Sequence, residues 1–196
     1  NDESGVAASQ RLEIDGDGSR SIDQRYPFVG ATNPQISLHV FDLERGTSRL
    51  IWSSEDNYLA RVNTNKNGVC IQVQDRLQQQ LDLLFLAYTE EHWQTLHTER
   101  SDTWINLTDD LRCIDSNRWL FTTEKNGQRS AMILENGQSP FALPGPVHIN
   151  CLLEHTDSIV YACGWNESPA ENHLFAINLD ATACQQVSSQ PGWHEF

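Results

Sequence analysis

A short apolar strand recurs four times in this chain. The copies are Leu38-His39-Val40-Phe41-Asp42-Leu43, Leu83-Leu84-Phe85-Leu86-Ala87-Tyr88, Ala131-Met132-Ile133-Leu134-Glu135-Asn136 and Leu174-Phe175-Ala176-Ile177-Asn178-Leu179. Aligned on Asp42, Ala87, Glu135 and Asn178, they stand 45, 48 and 43 residues apart. A strand-based period of roughly 40–50 residues is the pattern of β-propeller blades, where each small sheet buries its faces against its neighbours. The 196 residues hold about four such units, the low end of the roughly 4–8 blades of a closed ring. The chain also opens on Asn1 rather than on a methionine. The expected fold is therefore all-β: a β-propeller fragment of about four four-stranded antiparallel blades, cut from a longer propeller and not necessarily complete at either end.

The segments between the copies fit this rhythm. Residues 1–35 read as an extended arm or insertion of a blade, and residues 36–196 as consecutive blades of a single partial domain. In the arm, Gln10–Ile14 and Ser19–Tyr26 flank the turn Asp15-Gly16-Asp17-Gly18, a strong hairpin signal. Tyr26-Pro27-Phe28-Val29-Gly30-Ala31-Thr32-Asn33-Pro34 is too rich in Pro and Gly for a regular element. Further strands are expected at Ile36–Leu43, Thr47–Trp52, Tyr58–Asn63, Val69–Gln74, Gln80–Tyr88, Arg118–Glu124, Arg129–Glu135, Ile149–Glu154, Ser158–Gly164 and His173–Leu179. Asp75–Leu86 carries Leu77, Leu81 and Leu84 at helical spacing, but alignment with the other copies favours a strand in its second half.

Composition excludes several partners. Thirteen Lys and Arg are scattered among twenty-seven acids, for a net charge of −14. A nucleic-acid backbone or an anionic membrane surface requires clustered cations, so neither is expected as a partner. No apolar stretch reaches the roughly 18 residues of a membrane-crossing helix. The acidity favours solubility and would attract a cationic ligand such as a peptide amine.

The five cysteines, Cys70, Cys113, Cys151, Cys163 and Cys184, show no zinc-ligand spacing. Cys151 and Cys163 fall on two strands of an expected hairpin and can face each other. A bridge there and two buried free thiols are both open, with free thiols the expected state. Asp15, Asp17, Ser19, Ser21 and Asp23 alternate like early calcium-loop ligands but lack the acid at the closing position, where Tyr26 stands. A polar turn is the better reading. No metal and no cofactor is expected.

Nothing in the chain supplies a catalytic set. The Gly-x-Ser-x-Gly elbow of an α/β-hydrolase is absent. Glu55-Asp56, Glu90-Glu91 and Asp109-Asp110 are adjacent pairs, which on a strand point to opposite faces and elsewhere read as solvated loops. No catalytic residue is assigned. The tryptophan steps from Trp52 to Trp93 and from Trp119 to Trp165 are 41 and 46 residues, matching the blade period, so several are expected to anchor blade packing. Trp104 is the exception to watch, in Ser101-Asp102-Thr103-Trp104-Ile105-Asn106 just before a blade's first strands, where loops face the central channel, although packing is the expected role there too.

Taken in order, the residues resemble the propeller of dipeptidyl peptidase IV-like serine peptidases of the prolyl oligopeptidase group. The resemblance is carried by Asp2-Glu3-Ser4, Tyr26-Pro27 through Gly30, Asn33-Pro34, Leu38 to Leu43, Tyr58-Leu59-Ala60-Arg61-Val62-Asn63 and Leu81-Asp82-Leu83-Leu84-Phe85. Thr103-Trp104-Ile105-Asn106-Leu107-Thr108-Asp109, Asn126-Gly127-Gln128-Arg129, His173-Leu174-Phe175 and Gly192-Trp193-His194 continue it. Thr64 departs from the pattern where relatives commonly have Trp, and Ser130-Ala131-Met132 replaces a usual His-Leu-Tyr.

The resemblance implies an eight-bladed propeller joined to a C-terminal α/β-hydrolase domain that holds the Ser, Asp and His. Such enzymes release N-terminal dipeptides with Pro or Ala second. The paired Glu residues that bind the substrate amine are implied to lie upstream of this chain, and the triad downstream, so the chain alone is expected to be inactive. Two features carry over as expectations. Trp104, Asn106 and Thr108 are candidates for the substrate pocket, and Arg11, Tyr26 and Pro27 for a dimer-forming arm. Implied partners are peptide substrate, the hydrolase domain and a second copy of the chain, in a periplasmic or secreted setting of a bacterium. The alternative is a propeller that only binds proteins or ligands and has no peptidase role.

Overall fold

The computed structural model describes residues 1–135 and 137–196, with sixteen strands and no helix among them. Asn136, the last residue of the third repeat copy, lies outside the described residues. The chain divides into two units, Asn1–Leu59 and Ala60–Phe196.

The first unit holds two hairpins. β1 (Ala8–Asp15) and β2 (Gly18–Arg25) pair antiparallel from Ala8↔Arg25 to Asp15↔Gly18. The calcium-like alternation forms this hairpin's tip, where Asp15 Oδ1 accepts the Asp17 amide at 3.1 Å. Among the described residues no three His, Cys, Asp or Glu gather to hold a metal. β3 (Ser37–Asp42) and β4 (Thr47–Ser53) form the second hairpin. Its turn is held by Asp42 Oδ1, which accepts the amides of Glu44 and Arg45 at 3.0 Å each.

The second unit is built of three four-stranded sheets whose spatial order follows chain order. The first contains β5 (Tyr58–Thr64), β6 (Gly68–Gln74), β7 (Gln80–Ala87) and β8 (Gln94–Arg100). The second contains β9 (Arg112–Cys113), β10 (Arg118–Thr123), β11 (Ser130–Glu135) and β12 (Phe141–Ala142). The third contains β13 (His148–His155), β14 (Ile159–Trp165), β15 (His173–Asn178) and β16 (Cys184–Gln186). These are propeller blades. The repeat copies at Leu83, Ala131 and Leu174 take the third strand of each sheet, and β3 carries the fourth copy.

Burial explains why the middle strands are so apolar. All seven residues of β6 are buried, because a blade's central strand is covered on both faces. Cys70, Leu83 and Phe85 pack with Leu111, Trp119, Phe121 and Leu134 of the next sheet. Leu120, Ala131 and Ile133 pack with Ile149, Leu152, Val160, Phe175 and Ile177 of the third. Each large apolar side chain buried in these seams contributes roughly 1.5–3 kcal/mol. Trp119 is the one tryptophan that anchors a buried seam cluster among the described residues, its ring 5.3 Å from Phe85. Trp165 instead stacks on His148 at 5.5 Å, and Trp104 and Trp193 are exposed. The tryptophans at the blade period do not share one place, Trp119 standing near the start of β10 and Trp165 at the end of β14, so the period alone does not set their burial.

Four strands escape the sequence reading: β8, β9, β12 and β16. Three are two or three residues long, and β8, Gln-Thr-Leu-His-Thr-Glu-Arg, is polar on both faces. The remaining strands fall within about two residues of their expected bounds, and Asp75–Leu86 is a turn followed by β7. Asp110 departs from its expected setting. It is not a solvated loop acid but a buried one, 4% exposed. It accepts Thr122 Oγ1 at 2.7 Å and the Leu152 amide at 2.8 Å, tying β10 to β13.

Candidate functional site

The loop from β8 to β9 crosses a cleft in the second unit and is built rather than slack. The turn between β6 and β7 supplies its anchors. Ser101 donates its amide to Gln79 O at 2.9 Å, and Ile105 donates to Gln78 O at 2.7 Å. Gln74 Nε2 returns a hydrogen bond to Ile105 O at 3.0 Å. Gln78 reaches this position in the left-handed region, φ 60°, at a cost of about 1–2 kcal/mol that the fixed loop offsets. Ile105 is buried, while its neighbour Trp104 is 63% exposed.

A polar chain then fixes the outer wall. Trp104 Nε1 donates to Asn106 Oδ1 at 3.2 Å, and Asn106 Nδ2 donates to Glu124 Oε2 at 2.6 Å. Arg129 grips Glu124 Oε1 through Nη2 at 2.8 Å and Nε at 3.1 Å, and donates Nη1 to Asn150 O at 2.8 Å. The Asn106 amide and the Arg129 guanidinium hold the Glu124 carboxyl below its ordinary range despite partial burial.

The cleft behind this wall has a volume of about 560 Å³ and is lined by Trp104, Asn106 and Thr108 together with His97, Glu99 and Phe121. Thr108 and Thr122 share a hydroxyl–hydroxyl hydrogen bond at 3.1 Å. Glu99 accepts Thr123 Oγ1 at 2.8 Å, and burial pushes its carboxyl up. The His97 ring lies 5.4 Å from Phe121, and burial pulls its imidazole down from the usual value. The result is a braced, open indole face beside carboxylate, amide and hydroxyl groups, which suits binding an extended polar chain.

The three pocket candidates read from the sequence, Trp104, Asn106 and Thr108, therefore line one cleft. Glu99, Glu124, Arg129 and His97 went unassigned. Glu124 and Arg129 were within reach of the sequence, because they flank the Lys125-Asn126-Gly127 turn and hairpin ends face each other. Glu99 and His97 sit on β8, the strand that polarity concealed.

The arm candidates lie in the first unit. Arg11 is on β1 and forms an ion pair with Glu13, which also binds Arg20 at 2.8 Å. Tyr26 follows β2, 55% exposed, with its ring edge-on to Phe28 at 5.6 Å and Pro27 between them. Leu12, Ile14 and Val29 are exposed in the same segment.

The entire chain, residues 1–196, matches the family model described as dipeptidyl peptidase IV (DPP IV) N-terminal region. It is 23% identical over 212 aligned residues to a probable dipeptidyl-aminopeptidase B of Emericella nidulans, covering 87% of this chain and 22% of that protein. Its fold is similar to the crystal structure of Porphyromonas gingivalis dipeptidyl peptidase 4, with a TM-score of 0.83 and 17% identity over 97% of this chain and 28% of that one. The chain spans less than a third of either protein's length.

Proposed function

The chain belongs to the dipeptidyl peptidase IV N-terminal region family, and on that premise we propose that it is the non-catalytic propeller portion of a dipeptidyl peptidase IV-type serine exopeptidase. It shapes substrate access to a C-terminal α/β-hydrolase domain, which performs acyl transfer from a peptide to a Ser nucleophile and then to water. The observation that carries this reading is the cleft under the β8–β9 loop. Trp104 stands exposed there on a backbone tethered at Ser101 and Ile105, with Asn106 locked to Glu124. A rigid indole beside hydrogen-bonding groups holds an extended peptide with little ordering cost.

The role assigned to Trp104 and Asn106 is to position peptide, with Thr108 closing the cleft floor through Thr122. The exposed segment carrying Arg11, Tyr26 and Pro27 is assigned to contact between two copies. Its exposed apolar side chains Leu12 and Ile14 share one face of β1, opposite the ion-paired Arg11 and Glu13, and form an apolar row for a second copy to cover.

The test uses the protein as its gene encodes it. Hydrolysis of a Gly-Pro chromogenic substrate that is abolished by a serine-directed inhibitor is expected. Trp104→Ala is expected to raise KM several-fold with kcat nearly unchanged. The 196-residue chain alone should give no turnover. Absence of dipeptide release by the whole protein retires the peptidase reading. An unchanged KM in Trp104→Ala removes the cleft from substrate binding and leaves the family assignment intact.

A further inference from the structure

We propose that Cys151 and Cys163 are an oxidation site, forming a cross-strand disulfide within the third blade of the second unit on exposure to a low-molecular-weight disulfide. The two residues are directly opposed Cα partners on β13 and β14. Opposed residues of an antiparallel pair have Cα atoms about 4.5–5.5 Å apart, inside the roughly 4.4–6.8 Å range that a disulfide spans. The ladder is irregular on both sides of the pair, between Ile149 and Cys151 and between Leu152 and His155, so the backbone there has room to adjust.

The surroundings assign the order of events. Cys151 is half-buried, whereas Cys163 is 4% exposed, so an oxidant from solvent meets Cys151 first. Burial, with Cys151 beside it, pushes the Cys163 thiol up to about 12, so it does not start the exchange. The Cys151 thiolate attacks one sulfur of the oxidant, forms a mixed disulfide and expels one thiolate, which takes up a proton. Cys151 is now neutral and no longer repels charge on its neighbour. The nearby Asn172 side chain favours that neighbour's thiolate. Cys163 then loses its proton to solvent, attacks Cys151 Sγ and releases the second thiol. The two cysteines give up two electrons and two protons, and the oxidant's S–S bond becomes two thiols.

The other thiols differ. Cys70 is completely buried, with its thiol also pushed up to about 12 by burial, and its cross-strand partner on β7 is Phe85, while Cys113 lies across a seam in the next sheet. Cys113 instead donates to Asp115 O at 2.9 Å and accepts from Asn65.

The experiment treats the reduced, unmutated protein with oxidised glutathione, quenches with acid, alkylates and cleaves after Glu154, which separates the two cysteines. Peptides containing Cys151 and Cys163 are expected to emerge linked, with three of the five thiols still alkylated. The melting temperature should rise by roughly 5 °C and return on reduction. Cys163→Ser should retain glutathione on Cys151. Five alkylated thiols after oxidation, a glutathione adduct persisting on Cys151 of the unmutated protein, or linkage through another cysteine would overturn the proposal. The peptide linkage is read on the unmutated protein, so the outcome does not depend on a variant folding.

Discussion

Asn106 donates to Glu124 across 2.6 Å, and Arg129 holds the opposite oxygen of the same carboxylate. One acid therefore links the β8–β9 loop to the β10–β11 turn. Glu124→Gln keeps the shape but removes the ion pair, and should cost about 1–2 kcal/mol in chemical denaturation. Because the fold holds this carboxyl below its ordinary value of 4.5, its contribution is complete above that pH and is lost as pH falls through the lower folded value. The variant should lack that part of the acid dependence. Identical acid limbs in the two proteins would show that Glu124 does not carry it.

Asp110 is the more consequential acid. Asp110→Ala leaves the Leu152 amide unpaired in a buried seam between two blades and strips the Thr122 hydroxyl of its acceptor, leaving it only Thr108. The expected loss is about 2–4 kcal/mol. Asp110→Asn retains an acceptor and should lose less. Equal losses in the two variants would mean that the charge, not the hydrogen bonding, is what the seam needs.

Much of this arrangement is legible in the sequence, for a physical reason. Blade-centre strands such as β7 and β11 are apolar because both faces are covered, so Leu83–Leu86 and Ala131–Leu134 stand out and repeat. Edge strands carry no such demand. β8 pairs through its backbone while its side chains His97 and Glu99 serve the cleft, and its polarity reads as loop. Asp110 was hidden for a related reason. Its neighbour Asp109 is exposed and pairs with Arg61, so the pair looks solvated although only one member is. Trp104, Asn106 and Thr108 came to notice through family resemblance and loop position. Their tethering through Gln78, Gln79 and Glu124 depends on partners 18 to 27 residues away, which no local pattern encodes.

His97 gives the cleft a pH signature. Burial lowers its imidazole below 6.5, with Lys125 adding to the effect and Asp82 opposing it. A lowered folded value means that the unfolded chain binds the proton first. The contribution of His97 to stability is intact above pH 6.5 and is lost as pH falls from there toward the folded value. NMR titration should place the His97 midpoint below that of an exposed histidine, and His97→Gln should flatten this segment of the stability curve. A midpoint at or above 6.5 would contradict the burial assigned to the cleft floor.

Gly68 opens β6 where the blade tolerates no side chain. A Cβ built there lies 2.2 Å from Leu86 O and 2.8 Å from two ring carbons of Phe85. The carbonyl belongs to the β6–β7 ladder, with Val69 paired to Leu86, so it cannot retreat without breaking the pairing. Phe85 in turn packs on Trp119 in the seam between the first two sheets of the second unit. Gly68→Ala should therefore destabilise by about 3 kcal/mol, the upper end for overpacking, although alanine is otherwise a mild substitution. Gly164 on β14 meets the same obstacle at His148 O, 2.2 Å from a built Cβ. Gly127, at φ 82° with open space around it, is the contrast. Alanine there pays only the left-handed backbone cost of about 1–2 kcal/mol. Denaturation midpoints ordered Gly127→Ala above Gly68→Ala would match steric exclusion inside the blade. The reverse order would mean that the start of β6 relaxes and that the seam is softer than its packing implies.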